Sequence, residues 1–379
     1  MKLAYAFMGD LQESKRPGIL VGGGAHKSRD RIMAFAEKHR IPVFRTWNAL
    51  DVATDDSPVY SGTIGTYGGP GRNFGVQNCD LLLILGCRIS GRITGGMPET
   101  FARGAKTYRV DIEDGNDAGE FVEHCLTRYS DWTLKFDAWL QKCIAWRVKY
   151  DPVKPEHLSE WHHYGVMRRL SEQIPSNAIV TYDTGGNAIM MGHCFRSKRG
   201  QRIFSSNGNS PMGSAMCLAI GAWFADPARP IICIIGDGGM QLNIQELQTI
   251  KHYGIPVKVF VFNNKVLGNT LSYIRVNKKA VVACDETSGY SSPDFVKVAE
   301  AYGINAVSRD YWGAFDMVKW ALGLASPVVV DLIDEDRCQY EPRISRFDIP
   351  IEDAYPFLPR DEFRKNMYIE PHAGWENIK

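Results

Sequence analysis

A carboxylate between glycines, Gly236-Asp237-Gly238, is followed one strand–helix–strand unit later by two carboxamides, Asn263 and Asn264. Carboxylate and amide oxygens are hard donors, the ligand type of Mg2+, an ion that keeps further positions for phosphate oxygens and water. Gly236 and Gly238 let a phosphate come close to the backbone. Other phosphate motifs fit less well: no Gly-Lys-Ser/Thr is present, and Gln241 stands where a GxGxxG fingerprint needs its third glycine. Each piece alone has a plainer reading, a strand-ending glycine turn or a polar Asn-Asn turn. At this spacing, on one sheet edge, the pair favours a metal–phosphate site.

The elements that must position these groups follow from apolar spacing. Ile231 to Ile235 is a short apolar run ending in glycine, as in a buried strand. Met240, Ile244, Leu247 and Ile250 lie on one helical face, Gly254 and Pro256 stop that helix, and Val257 to Phe262 reads as a second buried strand. Such a unit is a right-handed parallel βαβ crossover. Asp237 and Asn263–Asn264 then sit at the carboxyl ends of two strands, where open α/β sheets bind ligands.

GDG followed by NN resembles the diphosphate–Mg2+ motif of thiamine diphosphate (ThDP) enzymes. The longer run QELQTIKHYGIPVKVFVFNN, then LG, is most similar to the acetolactate synthase (acetohydroxyacid synthase) group. The resemblance implies Asp237, the Asn264 side chain and the Val266 carbonyl as Mg2+ ligands, with Gly236, Gly238, Gly239 and Leu267 beside the cofactor. Two more loops are expected to reach it. In TYDTGGN, 181–187, Asp183, Gly185, Gly186 and Asn187 are diphosphate-side candidates, although the family usually carries Gln-His where this chain has Gly186–Asn187. In SSNGNSPMGSAMCLAIGA, 205–222, Met212 is either a core gap-filler or the catalytic wedge that bends ThDP. The family reading places the Ser210 carbonyl and the Met212 amide at the aminopyrimidine edge.

The activity so implied is decarboxylation of pyruvate or a related 2-oxo acid, followed by transfer of the remaining fragment to a second carbonyl. The alternatives are transfer from pyruvate to a keto-sugar nucleotide, simple 2-oxo-acid decarboxylation, and a non-catalytic partner subunit. Tyr273 stands where the family has tryptophan and Arg275 lies nearby, which suits a polar or anionic acceptor.

A chain of 379 residues holds two domains. The expected fold class is α/β, with two open parallel-sheet three-layer domains. The expected divisions are an N-terminal linker (1–16), a central Rossmann-like domain of FAD-binding type (17–150), a linker (151–163), a ThDP diphosphate- and Mg2+-binding domain (164–335) and a C-terminal wrapping tail (336–379). In the first domain Ile19–Val21, Pro42–Thr46, Leu81–Leu85 and Thr107–Ile112 read as strands, and Asp30–Lys38 as a helix with Ile32, Phe35 and Ala36 inward. Residues 118–160 hold a Trp-rich amphipathic helix bearing Trp139, Ile144, Trp146 and Val148, and then the Pro-containing linker DPVKPEH. The Gly22–Gly24 turn is either a structural connection or a phosphate approach. RPGILVGGG, GTIGTYGGPG, LLLILGCRISGRITG and VDIED resemble, in order, the FAD-binding middle domain of acetolactate synthases. The resemblance implies Gly23, Gly24, Thr46, Gly65, Gly86, Arg88, Arg92 and Asp111 as FAD-side positions. Ser90 and Tyr67 depart from the usual Asp and His.

The catalytic glutamate of ThDP enzymes belongs to a pyrimidine-binding domain that matches no segment of this sequence. A separate chain carrying it, a truncated product and a non-catalytic relative are the three readings; intact Met212, Asp237 and Asn264 favour the first, in a 2+2 hetero-oligomer. A formal charge of +1 with evenly mixed signs favours neither nucleic acid nor a membrane surface. No apolar run has the length of a membrane span, and no signal peptide is recognisable at the start. Nine cysteines without metal spacing fit reduced thiols in a cytoplasmic protein. His162–His163 reads as an ordinary surface turn.

Overall fold

The computed structural model describes residues 2–159, 162–277, 279–310, 314–334, 339–344 and 347–378. These divide into two compact units, one of residues 1–152 with 341–379 and one of residues 153–340.

The first unit begins with helix α1 (Lys2–Glu13), strand β1 (Pro17–Val21), α2 (Arg29–His39), β2 (Val43–Arg45), β3 (Tyr60–Thr63) and α3 (Gly69–Gln77). It continues with β4 (Leu81–Leu85), α4 (Gly91–Thr94), β5 (Lys106–Val110), α5 (Ala118–Arg128) and α6 (Asp137–Lys149). The sheet is parallel throughout, in the order β3-β2-β1-β4-β5. Alternate strand residues feed two cores. Ile19, Val21, Leu83 and Leu85 pack with α1, α2 and α5, while Leu20, Phe44, Leu82 and Ile84 pack with α3 and α6. This unit is a three-layer α/β fold.

Three expectations change here. Residues 2–13 are not a linker: α1 buries Ala4, Phe7, Met8 and Leu11 against the sheet core. The segment 118–160 is broken into separate helices, and α6 buries Trp139, Leu140, Cys143 and Trp146 while Val148 stays exposed. The described tail residues from 341 onward belong to the first unit. Ile344, Ile351, Ala354, Leu358, Phe363 and Met367 join the first unit's core, because its Trp139–Trp146 face needs an apolar cover. The expected boundary at 335/336 lies outside the described residues.

The second unit runs α7 (Pro155–Ser159), α8 (His163–Gln173), β6 (Ile179–Tyr182), α9 (Gly186–His193), β7 (Arg202–Phe204), α10 (Ser214–Ala225) and β8 (Ile231–Gly236). Then come α11 (Asp237–Leu242), α12 (Glu246–Tyr253), β9 (Lys258–Asn263), α13 (Gly268–Val276), α14 (Phe295–Ala301), β10 (Asn305–Asp310), α15 (Ala314–Gly323) and β11 (Val328–Ile333). Its six strands are parallel in the order β10-β11-β9-β8-β6-β7. The helix expected across Met240–Ile250 is two helices with a turn at 243–245. Asn243 leaves the helical path there and donates its amide to the Gly213 carbonyl. Met240, Leu247 and Ile250 still share one buried core, and Gly254 ends α12 in the left-handed conformation at φ 61°. β8 and β9 are neighbours, so Asp237 and Asn264 leave adjacent strands at the same edge.

Candidate functional site

At the carboxyl edge of β6, β8 and β9 lies a cavity of about 240 Å3. It gathers Asp183, Gly185, Gly186, Asn187, Met212, Gly236, Asp237, Gly238, Gly239, Asn264, Val266 and Leu267. Of the ThDP-side positions named from the sequence, Ser210 is not among the lining residues. It sits in a left-handed turn at φ 52° whose hydroxyl donates to the Asn207 carbonyl. Tyr273 and Arg275 do not line the cavity either, and Tyr273 is an exposed residue of α13.

Asp237 is buried, and its Oδ2 accepts the Tyr290 hydroxyl at 2.7 Å. Burial pushes its carboxyl up to about 6, against the opposing pull of that hydroxyl and of the Gly238 and Asp237 amides. At neutral pH it is a carboxylate, and no cation neutralises it in the contacts seen. The two asparagines divide their work. Asn263 turns into the sheet, where its Nδ2 donates to Asp331 Oδ2 at 3.3 Å and its Oδ1 accepts the Lys265 amide. Lys265 is left-handed at φ 56°, and this bend turns Asn264 and Val266 toward the cavity.

Asp183 lines the cavity and also braces one of its walls. Its Oδ2 accepts the Gly213 amide at 2.8 Å, and burial raises its carboxyl above the usual range. A Cβ on Gly239 would overlap that oxygen. Asp183 therefore braces the β6 loop against the turn that carries Met212. A Cβ on Gly238 would fall 2.8 Å from Leu267 Cδ2 and 3.1 Å from Met212 Cε, the flexible ends of two lining side chains. Met212 is 40% exposed, too open for a core gap-filler.

The sequence reading missed His163, Thr184, Met190, Phe262, Asn269, Thr270 and Tyr340 in the lining, and Tyr290 behind it. His163 is no surface turn: it is buried at the start of α8 and its Nε2–H donates to the Gln339 carbonyl at 3.1 Å. Thr184 and Phe262 lie inside stretches already named, whereas His163, Tyr290 and Tyr340 lie in no motif with a spacing signal. Only the fold brings them to the edge.

ThDP and Mg2+ fit this donor set. Asp237, Asn264 and the Val266 carbonyl offer oxygen ligands, and the glycines leave room for phosphate oxygens. Asn187 adds a buried amide whose Oδ1 has no hydrogen-bond partner among the described residues. Such a group calls for a partner that the protein does not supply. Among the described residues no cluster of three His, Cys, Asp or Glu exists, so amide and backbone oxygens must share any cation.

In the first unit the FAD-side positions fall into two groups. Gly24 donates its amide to the Gly86 carbonyl at 3.0 Å, with Gly23 against Asn48. Gly65 packs on the Arg92 carbonyl, and the Arg92 guanidinium lies 5.7 Å from the Trp47 ring next to Thr46. Asp111 caps a short 3-10 turn by accepting the Glu113 amide, and Arg88 is exposed. Tyr67, the residue in place of the usual His, packs on Trp47 at 5.5 Å.

Comparison with known proteins agrees with this arrangement. Residues 183–332 match the thiamine pyrophosphate enzyme C-terminal TPP-binding domain, and residues 7–123 match the thiamine pyrophosphate enzyme central domain. A probable acetolactate synthase large subunit of Methanocaldococcus jannaschii is 32% identical over 323 residues, 78% of this chain and 53% of that protein. The acetolactate synthase large subunit of Cyanidium caldarium is 31% identical over 352 residues, 85% of this chain and 58% of that protein. The isozyme 2 large subunit of Escherichia coli is 28% identical over 306 residues, 78% and 55% respectively. The chain thus spans about half the length of the curated relatives it matches. With both of its units matched in order, the chain belongs to the thiamine pyrophosphate enzyme family, and its relatives include acetolactate synthase large subunits.

Proposed function

We propose that this chain is the ThDP- and Mg2+-binding part of a decarboxylating carboligase that acts on pyruvate or a related 2-oxo acid. The observation that carries the reading is the convergence of Asp237, Asn264, Val266, Met212 and the glycines of three loops on one cavity. ThDP, when bound, supplies the electron sink that lets a 2-oxo acid lose CO2 and attack a second carbonyl. The chain's own residues do the holding. Asp237, ionised above pH 6, Asn264 and the Val266 carbonyl would hold the cation, and Asn187 and the glycine amides would face the diphosphate. Met212, braced through Gly213 on Asp183, would set the conformation of the bound cofactor.

Among the described lining residues the carboxylates are Asp183 and Asp237; the first accepts the Gly213 amide and the second accepts the Tyr290 hydroxyl and would face the cation. We assign the proton exchange on the pyrimidine side to a glutamate of a separate pyrimidine-domain chain, in a 2+2 complex. Met212, Leu242, Tyr273, Val276, Val281 and Val282 are exposed apolar residues, a composition suited to such a partner. The eight described cysteines are free, which suits a cytoplasmic location. A keto-sugar nucleotide is the second reading for the acceptor; it rests on the residue types of Tyr273 and Arg275, which lie on α13 just beyond the lining residues Asn269 and Thr270.

The test combines the chain with the product of a neighbouring gene, ThDP, Mg2+ and pyruvate. Acetolactate or a longer ketol is the expected product. Free acetaldehyde would make it a simple decarboxylase, and no CO2 a non-catalytic partner. Offering 2-oxobutyrate, pyruvate and keto-sugars together identifies the acceptor, and a strong preference for 2-oxobutyrate would refute the polar-acceptor reading. FAD binding is a separate proposal. It rests on the exposed Arg88 and Arg92 at the first unit's sheet edge, and a protein that stays colourless after incubation with FAD overturns it.

A further inference from the structure

The Asp237 carboxylate is not left to find its own orientation. Tyr290 Oη donates to its Oδ2 at 2.7 Å and accepts from Gln241 Nε2 at 3.1 Å. Gln241, one helical turn beyond Asp237 on α11, also donates to the Ser291 carbonyl at 3.2 Å, so phenol, amide and carboxylate form one chain of bonds.

The segment that presents Tyr290 is built to be rigid. Asp285 and Ser288 form a reciprocal capping box, and Gly289 follows in the left-handed region at φ 110°. The Tyr290 amide returns to the Asp285 carbonyl at 2.8 Å. The Cys284 carbonyl accepts the amide of Leu267, a cavity residue, at 2.8 Å. This turn thus ties the hydroxyl that meets Asp237 to the loop that carries Asn264 and Val266.

The chemistry of the partner matters as much as its rigidity. An arginine or lysine at this place would also orient the carboxylate, but it would cancel the negative charge that draws a cation. A phenol donates one hydrogen bond and leaves the charge in place. Tyr290 itself has no free lone-pair role at a cation, since its hydroxyl is engaged on both sides.

We propose that Tyr290, held by Gln241 and the 283–290 turn, is a positioning residue that fixes the Asp237 carboxylate for Mg2+. The proposal rests on the cofactor reading above. Outer-shell partners of metal ligands are worth about 10- to 100-fold in metal affinity. The experiment measures Mn2+ binding to the full chain in the presence of ThDP, by calorimetry and by the electron paramagnetic resonance spectrum of the bound ion. Tyr290→Phe keeps the ring and removes the hydroxyl. It should weaken Mn2+ binding by about 10- to 100-fold, broaden the spectrum of the bound ion, and recover ThDP binding when Mn2+ is raised in proportion. Its thermal midpoint without metal should match the wild type, which separates lost positioning from lost fold. Gln241→Leu, which leaves the phenol but unties it, should give a smaller change in the same direction. Equal Mn2+ affinity in wild type and Tyr290→Phe overturns the positioning role while leaving the cofactor reading intact. A wild-type chain that takes up no Mn2+ with ThDP overturns both.

Discussion

Both units end their parallel strands in glycine-rich turns, yet those glycines answer to different neighbours. In the first unit a Cβ on Gly22 would overlap the Gly86 carbonyl and the Cys87 backbone, and one on Gly24 would press the Gly86 backbone at 3.0 Å. In the second unit a Cβ on Gly238 would meet the ends of Leu267 and Met212, and one on Gly185 has only Asn269 at 3.9 Å. At Gly22 and Gly24 glycine serves chain-on-chain packing, whereas at Gly185 and Gly238 its nearest neighbours are side chains at the cavity. The Gly22–Gly24 turn, which by sequence suits a phosphate as well as it suits packing, is accounted for at Gly22 and Gly24 by backbone contacts. A glycine motif at a strand end is thus informative only once one knows what a side chain there would hit.

The sharpest way to break this comparison is at the charge. Asp237→Ala should lower Mg2+-dependent ThDP affinity a hundredfold or more, on the order of 3 kcal/mol, with unfolding little changed. Calorimetry with and without Mg2+ reads it, and unchanged affinity removes Asp237 from the site. Glycine substitutions probe the contrast directly. Gly22→Ala should cost roughly 3 kcal/mol of stability, because only backbone could yield. Gly238→Ala should leave the fold near wild type, since its neighbours are flexible side-chain ends, and should lower cofactor affinity instead. Urea unfolding set beside ThDP titration separates the two. Equal stability losses would dissolve the distinction.

Acid should move the units in opposite directions. Burial holds His39 neutral with its pKa lowered to about 4, and its Nδ1 accepts the Leu134 amide. The unfolded chain takes up that proton first, so the first unit loses stability as pH falls from about 6.5 to 4, by roughly 2 kcal/mol. Burial raises Asp237 and Asp331 to about 6. There the folded state binds the proton first, so without metal the second unit gains stability as pH falls through 6 and loses it as pH rises. Hydrogen exchange resolved by segment at pH 7 and pH 4.5 should show the first unit loosening and the second tightening. A parallel response in both would contradict the assignment.

The smallest effect concerns Lys258, whose ammonium donates to the Leu324 and Ser326 carbonyls while burial lowers its pKa to about 8. The unfolded chain protonates first between pH 10.5 and 8, so that protonation costs the fold stability across this window. Lys258→Met removes the cost but leaves two carbonyls unpartnered, for a net change within about 1 kcal/mol. Its chemical unfolding curve should lose the wild type's rise in stability above pH 8.

Sequence by itself determined the strands that alternate or run apolar. Leu81–Leu85 is the strand expected, β8 runs one residue beyond expectation, and β9 is shifted by one residue at each end. It also pointed to Asp237, Asn264 and the glycines around them, which the structure brings to one cavity. It did not reveal β7 or β10, whose residues RIF and NAVSRD carry too little apolar signal because they form the sheet's edges. Nor did it reveal that residues 2–13 form a core helix, or that Ile344, Ile351, Leu358 and Phe363 of the tail join the first unit's core. Tyr290, Tyr340 and His163 lie far along the chain from the motifs they meet and carry no spacing of their own. Local periodicity records which face of an element is buried. Which distant side chain reaches a carboxylate, and what a glycine's missing Cβ would have struck, depend on how elements pack, and only the tertiary structure decides that.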